Sequence, residues 1–388
     1  MSVFLNKRAK GKLRIEKPSQ KPFLFHQKLP EYKITPLISL KSLAKNLKIG
    51  NIWVKDESNR LGLPAFKILG ASWAVYRNIE EKFNIHSENN ENFPEFIKKI
   101  KKIPSITLIT ATDGNHGRAV ARIAKLYSWN AKIFMPEGSK EARINAILSE
   151  GAQVIIVKGD YDLAVQEAAK LESKLNWVIQ DTAYENYEKI PKWIIEGYST
   201  LCWEIDNQLS HSKIDLIFIQ IGVGSLASAI IKFYKHENYN ESPKILGIEP
   251  LGVACAKESV KAGKIVTING PYNSIMAGLN CGTISKISWP LILAGIDGFI
   301  EVSNDFAIKG MKTFSNDGII SGETGASGLG GLLELTEQDN GKLFRHQFNL
   351  NENSNVLIFS TEGATDPDFY NNEIKKSNIF EKKYLKSC

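Results

Sequence analysis

The sequence predicts an α/β fold, a parallel sheet with helices on both sides. Three observations lead there. Strand and helix patterns alternate at a short rhythm from Ser105 to Asp181, the signature of βαβ units. The same rhythm resumes over Ile214–Glu249 and again at Asn355–Ser360. The chain has 388 residues, 43% hydrophobic and 23% charged, ordinary for a globular protein and long enough for two domains.

Taken in order, the elements are these. Pro36–Leu40 reads as a short strand or turn, followed by a helix from Lys41. Asn51–Asp56 is a strand. A loop with Gly62 and Pro64 leads into an apolar-periodic helix, Phe66–Ile79. His86–Pro94 is polar and reads as a solvent loop. Ser105–Thr110, Ala131–Met135, Gln153–Val157 and Trp177–Asp181 are strands. Between them lie helices over Arg118–Tyr127, Ala142–Glu150 and Tyr161–Leu175. A helix spans Pro191–Asn207. Ile214–Ile221 is a strand, then a glycine turn and a helix to Tyr234, then the strand Lys244–Glu249. Asn355–Ser360 is the last strand, and the final twenty or so residues read as charged and peripheral.

Net charge is +7, from 49 basic and 42 acidic residues, a balance that favours solubility and selects no partner. The first 22 residues are rich in Lys and Arg, with Glu16 the acid among them. Little aromatic character interleaves with those charges, so a solvated arm is expected rather than a nucleic-acid or membrane contact. No apolar signal core or membrane-length run is present, and the chain reads as cytoplasmic. Cys202, Cys255, Cys281 and Cys388 show no C-x-x-C spacing, and the six histidines do not group, so no metal is expected. No G-x-x-x-x-G-K-[ST] and no G-x-S-x-G occurs.

Three segments carry chemistry. Lys67 sits near a helix start, where the backbone dipole and burial both act to lower an amine's pKa. An amine nearer neutrality suits imine formation with an aldehyde; a surface lysine in a helix's first turn is the plain alternative. Asp113-Gly-Asn-His-Gly117 lies between strand and helix, where free N–H groups attract carboxylates. Asn115 is suited to donate to a ring oxygen and Asp113 to move protons. His116 is the one histidine in such a setting. A capping turn explains Asp113 but not the Asn-His pair between two glycines. Gly222-Val-Gly-Ser-Leu-Ala227 follows a buried strand and opens a helix, which suits a phosphate. Its spacing also fits a dinucleotide fingerprint, with Glu249 where a ribose-binding acid belongs. From this segment alone an NAD-dependent oxidoreductase stays open, although that reading leaves Lys67 and Asp113–Gly117 without a task.

Together these motifs resemble the fold-type II pyridoxal-phosphate enzymes (tryptophan synthase β-like), and within them the diaminopropionate ammonia-lyases. Carrying the resemblance are Asp56-Glu-Ser58, Leu61-Gly-Leu63, Ala65-Phe-Lys-Ile-Leu-Gly70, Ala111-Thr-Asp-Gly-Asn-His-Gly-Arg118, Gln180–Pro191, Ala277–Thr283 and Ser360–Pro367. It runs from about residue 30 to 370.

The resemblance implies two open, twisted, mostly parallel sheets. A large cofactor-binding domain comprises residues 1–75 and 180–388; a small one, 76–179, carries the Asp113 turn. It implies pyridoxal 5'-phosphate as cofactor, held as a Schiff base on Lys67. Asn115 contacts the ring hydroxyl, Gly222, Val223, Gly224, Ser225 and Leu226 cradle the phosphate, and Ser360 or Thr361, with Thr361 favoured, faces the pyridine nitrogen. Asp113, His116 and Asp181 meet the substrate. The expected reaction is α,β-elimination of D- and L-2,3-diaminopropionate to pyruvate and two ammonia. Threonine or serine dehydratase and β-replacement synthase are the sibling alternatives, and a non-catalytic amino-acid binder is a further one. Cys255 and Cys281 resemble a family pair able to form a disulfide, against reduced thiols as the ordinary cytoplasmic state. A homodimer is expected. Pro64 and Ala71 stand where the ammonia-lyase pattern has Asn and a second Gly, a departure beside Lys67 that bears on substrate fit.

Overall fold

The computed structural model describes residues 3–88, 90–210, 212–337 and 341–384; Cys388 lies outside them. Its strands are β1 (Phe4–Leu5), β2 (Leu37–Ser39), β3 (Asn51–Asp56), β4 (Thr107–Ala111), β5 (Asn130–Pro136), β6 (Gln153–Val157), β7 (Asn176–Val178), β8 (Leu216–Gln220), β9 (Lys244–Pro250), β10 (Gly298–Val302) and β11 (Asn355–Ser360). They form a seven-stranded sheet, β1-β10-β9-β8-β11-β3-β2, and a four-stranded sheet, β6-β5-β4-β7. The four-stranded sheet is wholly parallel. In the larger sheet only the edge strands β1 and β2 run antiparallel. Every residue of β8 is buried, as expected of a parallel strand covered by helices on both faces.

Helix Ile68–Phe83, which follows Lys67, packs on helix Lys189–Leu209. The crossing is close because Gly70 and Gly197 meet there. A Cβ on Gly197 would lie 2.5 Å from the Leu69 carbonyl oxygen, and one on Gly70 would collide with Tyr198 and Ile194. His26 fills the junction: one ring nitrogen lies 2.7 Å from Thr200 Oγ1, the other 3.0 Å from Leu69 O and Ser72 Oγ.

Four expectations need correction. The polar stretch before residue 94 does not end in open loop: helix Phe93–Ile100 starts there, and Asn92 and Glu95 form a reciprocal capping box. Helix Tyr161–Ala169 stops short of Leu175. The basic N-terminal arm is not free in solvent. Its β1 pairs with β10, Asn6 donates to Leu293 O and Ile296 O, Arg8 donates to Val260 O at 2.8 Å, and Lys17 lies 4.3 Å over the Trp203 ring. The arm is thus docked along the body, while its Lys and Arg side chains stay exposed to water. At the other end, helix Pro367–Tyr384 buries Tyr370 against the larger sheet's core, with Phe369 and Ile374 beside it. Among the described residues no helix is long and apolar enough to cross a membrane, and no group of His, Cys, Asp or Glu could hold a metal ion.

Beneath the loop between β3 and Lys67 lies a buried ionic network. Arg60 reaches Glu57 at 2.6 Å and Glu204 at 2.7 Å, and Lys55 reaches Glu204 at 2.7 Å, all fully enclosed. Burial alone would raise Glu204; Arg60 and Lys55 hold it down to about 2. Thr35 and Tyr32 complete its hydrogen bonds. Arg60→Leu removes the shared cation, leaving Glu57 without its ion-pair partner and Glu204 with Lys55 alone. Stability is expected to fall by about 3–5 kcal/mol, read as a lower urea midpoint. An unchanged midpoint would mean that the network adds nothing to the fold.

Candidate active site

Four turns leave the carboxyl ends of their strands and meet between the two sheets: the 57–67 loop after β3, Thr112–Gly117 after β4, Ile221–Gly224 after β8 and Thr361–Glu362 after β11. Ligands of open α/β sheets bind at such ends. Here the turns surround a cavity of about 540 Å³, within the usual range for small-molecule sites, roughly 300–1,000 Å³. Lys67, Asp113, Asn115, His116, Asp181, Gly222, Val223, Gly224, Ser225, Leu226 and Thr361 all line it, with Cys281 at one side. Ser360 does not. It is fully buried, with its hydroxyl 3.0 Å from Ser321 Oγ. Of the two residues considered for a ring nitrogen, only Thr361 belongs to the cavity wall.

Lys67 caps helix Ile68–Phe83. Its Nζ donates to Asp181 Oδ2 at 2.8 Å, and its side chain keeps 23% exposure, toward the cavity. The expected lowering of its pKa is overturned. Burial does act in that direction, but Asp181, then Tyr198 and Asp113, outweigh it and raise the amine above its ordinary value. The same pair brings Asp181, which burial would raise, down to about 2. The sequence argument found the desolvation and the helix start but had no means of placing residue 181 beside residue 67.

His116 donates from Nε2 to Ile179 O at 2.7 Å, since a carbonyl only accepts. Burial lowers its pKa, so the ring is neutral and Nδ1 is an acceptor. That nitrogen is buried with no hydrogen-bond partner, 4.0 Å from Asp181. The surrounding turn is locked by Thr112, whose hydroxyl accepts from Gly114 N at 2.9 Å and Gly117 N at 3.1 Å. Asn115 begins helix Asn115–Tyr127 and donates from Nδ2 to Glu362.

The glycine turn opens helix Ser225–Tyr234. Gly224 has φ +96°, and a Cβ there would lie 2.9 Å from Ser288 Cβ; a Cβ on Gly222 would lie 3.1 Å from Gly278 O and 3.3 Å from Cys281 Sγ. Only glycine allows this close, left-handed approach. Ser225 Oγ donates to Asp181 O at 3.1 Å, tying the turn to the ion pair. Cys255 Sγ lies 4.0 Å from Gly222 O on another side. Both thiols are free, so the disulfide implied by family resemblance is not formed. Burial pushes both thiols up, Cys281 to about 12.

The dinucleotide reading fails on geometry. Both oxygens of Glu249 accept backbone N–H bonds at 2.8 Å, from Ala256 and Lys257. Its carboxyl group caps the next helix instead of facing a ribose. Pro64 and Ala71 do not line the cavity either, so neither departure from the family pattern touches a ligand there directly.

Sequence reasoning missed several wall residues: Tyr161, Tyr198, Gln220, Arg143 and above all Glu362. Glu362 was within reach, being the next residue after Thr361 in an already noted turn. The rest are ordinary strand and helix residues whose direction only the packing sets.

A cavity-facing amine, a turn too tight for any Cβ, a wall threonine and a partnerless buried Gln220 Oε1 fit a phosphorylated pyridine aldehyde. Comparison with known proteins agrees. The family model for pyridoxal-phosphate dependent enzymes matches residues 28–345. Diaminopropionate ammonia-lyase of Salmonella typhimurium is 38% identical over 359 residues, 89% of each chain. The crystal structure of the Escherichia coli diaminopropionate ammonia lyase in complex with D-serine superposes with a TM-score of 0.89, at 33% identity over 97% of each chain. The same enzyme in complex with an aminoacrylate-PLP azomethine reaction intermediate gives 0.88 at the same identity and coverage.

Gly224→Ala places a Cβ both in the left-handed region and against Ser288. The strain of about 1–2 kcal/mol is expected to weaken pyridoxal phosphate binding about tenfold or more, measured by titrating the apoprotein and following the cofactor's visible absorption. Wild-type affinity in this variant would show that the turn does not hold the phosphate.

Proposed function

Because the chain belongs to the pyridoxal-phosphate dependent enzymes, we propose that it eliminates ammonia from D- and L-2,3-diaminopropionate, giving pyruvate and two ammonia. The observation that carries this reading is the Lys67–Asp181 ion pair inside the cavity. A carboxylate that holds one ammonium at 2.8 Å is suited to hold another, the β-ammonium of a diamino acid. A hydroxy amino acid such as threonine has no such cation to offer.

Bound pyridoxal phosphate supplies an aldehyde for amines and a conjugated ring that spreads negative charge away from Cα. Lys67 would hold it through its amine, and that same amine, at the cavity wall, is placed to take the α-proton of the L-isomer. Asp113, on the cavity wall, takes that of the D-isomer. Asp181 keeps the departing β-nitrogen charged, which makes it a good leaving group. The backbone of Gly222, Val223, Gly224, Ser225 and Leu226 holds the phosphate at a helix start. Thr361 offers the ring nitrogen a neutral hydroxyl, which does not force it to stay protonated. His116, neutral, offers its unpartnered Nδ1 as an acceptor to the substrate beside Asp181. Released 2-aminoacrylate takes up one water and yields pyruvate and the second ammonia.

The proposed domain division is 1–75 with 180–388, and 76–179. The placement of β4 to β7 within the second span supports it. A cytoplasmic homodimer is the proposed working form, which light scattering of the purified protein checks.

Adding D- or L-2,3-diaminopropionate to the purified enzyme with pyridoxal phosphate is expected to release pyruvate, detected with lactate dehydrogenase. Release from threonine or serine instead would favour the sibling enzymes. Lys67→Ala is expected to lose the cofactor's visible band together with turnover; a retained band would remove Lys67 as the anchor. Asp113→Asn is expected to cut D-isomer turnover by about a hundredfold or more and to spare the L-isomer by comparison. Equal losses on both isomers would give Asp113 another task.

A further inference from the structure

We propose that Glu362 is a positioning residue for the cofactor ring. Its carboxyl group takes one N–H of the Asn115 carboxamide and leaves the other for the ring hydroxyl, with the buried Glu323 as the neighbouring acid. The inference rests on reading the cavity as a pyridoxal phosphate site.

Glu362 is 2% exposed and lines the cavity beside Thr361. Asn115 Nδ2 donates to its Oε2, and Thr324 N donates to its Oε1 at 3.2 Å. Its backbone is held as firmly. Gly322 N donates to its carbonyl at 3.0 Å. The first turn of helix Glu323–Glu337 lies so close that a Cβ on Gly325 would stand 2.5 Å from that same oxygen. An ionised carboxylate accepts only, so it fixes which end of the Asn115 amide faces it. That choice settles which group Asn115 presents to the cavity, a matter the Asn-His turn alone leaves open.

The second acid is Glu323, 1% exposed, whose Oε1 is buried without a hydrogen-bond partner. One cation serves both acids. Arg143 Nη2, on helix Glu141–Leu148, lies 3.8 Å from Glu323, and its Nη1 donates to Asp113 O at 3.3 Å. Lys140 and Asp366, at the mouth, pair with each other at 2.8 Å. Burial and a neighbouring acid both disfavour the charged form of an enclosed carboxyl group such as that of Glu362. Burial first, and then the Glu323 charge, push Glu362 up to about 7, against Arg143, Thr324 and Asn115. So the group that orients Asn115 changes charge near neutral pH, next to the ring hydroxyl.

The test is a pH titration of the holoenzyme's visible absorption without substrate, alongside cofactor affinity. Wild type is expected to show a spectral midpoint near pH 7. Glu362→Gln keeps an acceptor for Asn115 but cannot ionise, so the midpoint disappears while affinity stays within about threefold. Glu323→Gln removes the like charge, and the midpoint drops by about one unit or more. Glu362→Ala frees Asn115 and weakens cofactor binding about tenfold; if it does not fold, the two Gln variants carry the test. A wild-type midpoint retained in Glu362→Gln, or no midpoint in wild type, overturns the proposal. Absence of any visible band on adding pyridoxal phosphate to wild type fails the underlying reading of the cavity, and is distinguishable for that reason.

Discussion

One ion pair, set where the two sheets meet, anchors the site. Lys67 stands on the loop that leaves β3 of the larger sheet, and Asp181 follows β7 of the smaller one. Taking these charges out of water costs several kcal/mol for each ion, and a close partner is what makes it tolerable. The surroundings therefore have to hold both ends. Helix Lys189–Leu209 presses on the helix that begins at Lys67, through contacts only Gly70 and Gly197 permit. Ser225 grips the Asp181 backbone from the glycine turn. Amine, acid and glycine turn are in this way parts of one rigid arrangement, as precise chemistry requires.

The cavity also shows how environment separates chemically similar acids. Asp181, beside an ammonium, is driven far down to about 2. Glu362, enclosed with a second carboxyl group and sharing one guanidinium with it, is pushed up to about 7. Outside the cavity Glu249 is raised to about 8 by burial, even though two backbone N–H groups favour its charge. Three carboxyl groups of like intrinsic acidity thus end as an ion-pair partner, a group raised toward neutrality and a helix cap. The residue type does not choose among these tasks; the neighbours do.

Structural and chemical demands overlap in the loop after β3. Its buried network of Lys55, Glu57, Arg60 and Glu204 touches nothing in the cavity, yet it supports the chain that delivers Lys67. The same segment that looks like a binding motif in the sequence is partly a foundation. Asp56-Glu-Ser58 belongs to the family pattern, and here Glu57 is wholly occupied with Arg60 and Thr35.

Local pattern was enough for much of this protein. Buried runs such as Leu216–Gln220 and Asn355–Ser360 declare parallel strands, since apolar residues on both faces need cover on both faces. The order of the motifs also placed Lys67, Asn115, the glycine turn and Thr361, because each lies where a strand ends and a helix begins, and parallel strands bring such ends to one side. What contacts what across 114 residues was beyond it. The charge state of Lys67 depends on Asp181, the orientation of Asn115 on Glu362, and the fate of the Glu249 carboxylate on the helix at Cys255. The basic arm, too, reads as a free extension until β10 and Val260 are placed beside it. Periodicity records which side of an element is buried. It does not record which charge lies on the element opposite, and in a low-dielectric interior that neighbour decides protonation.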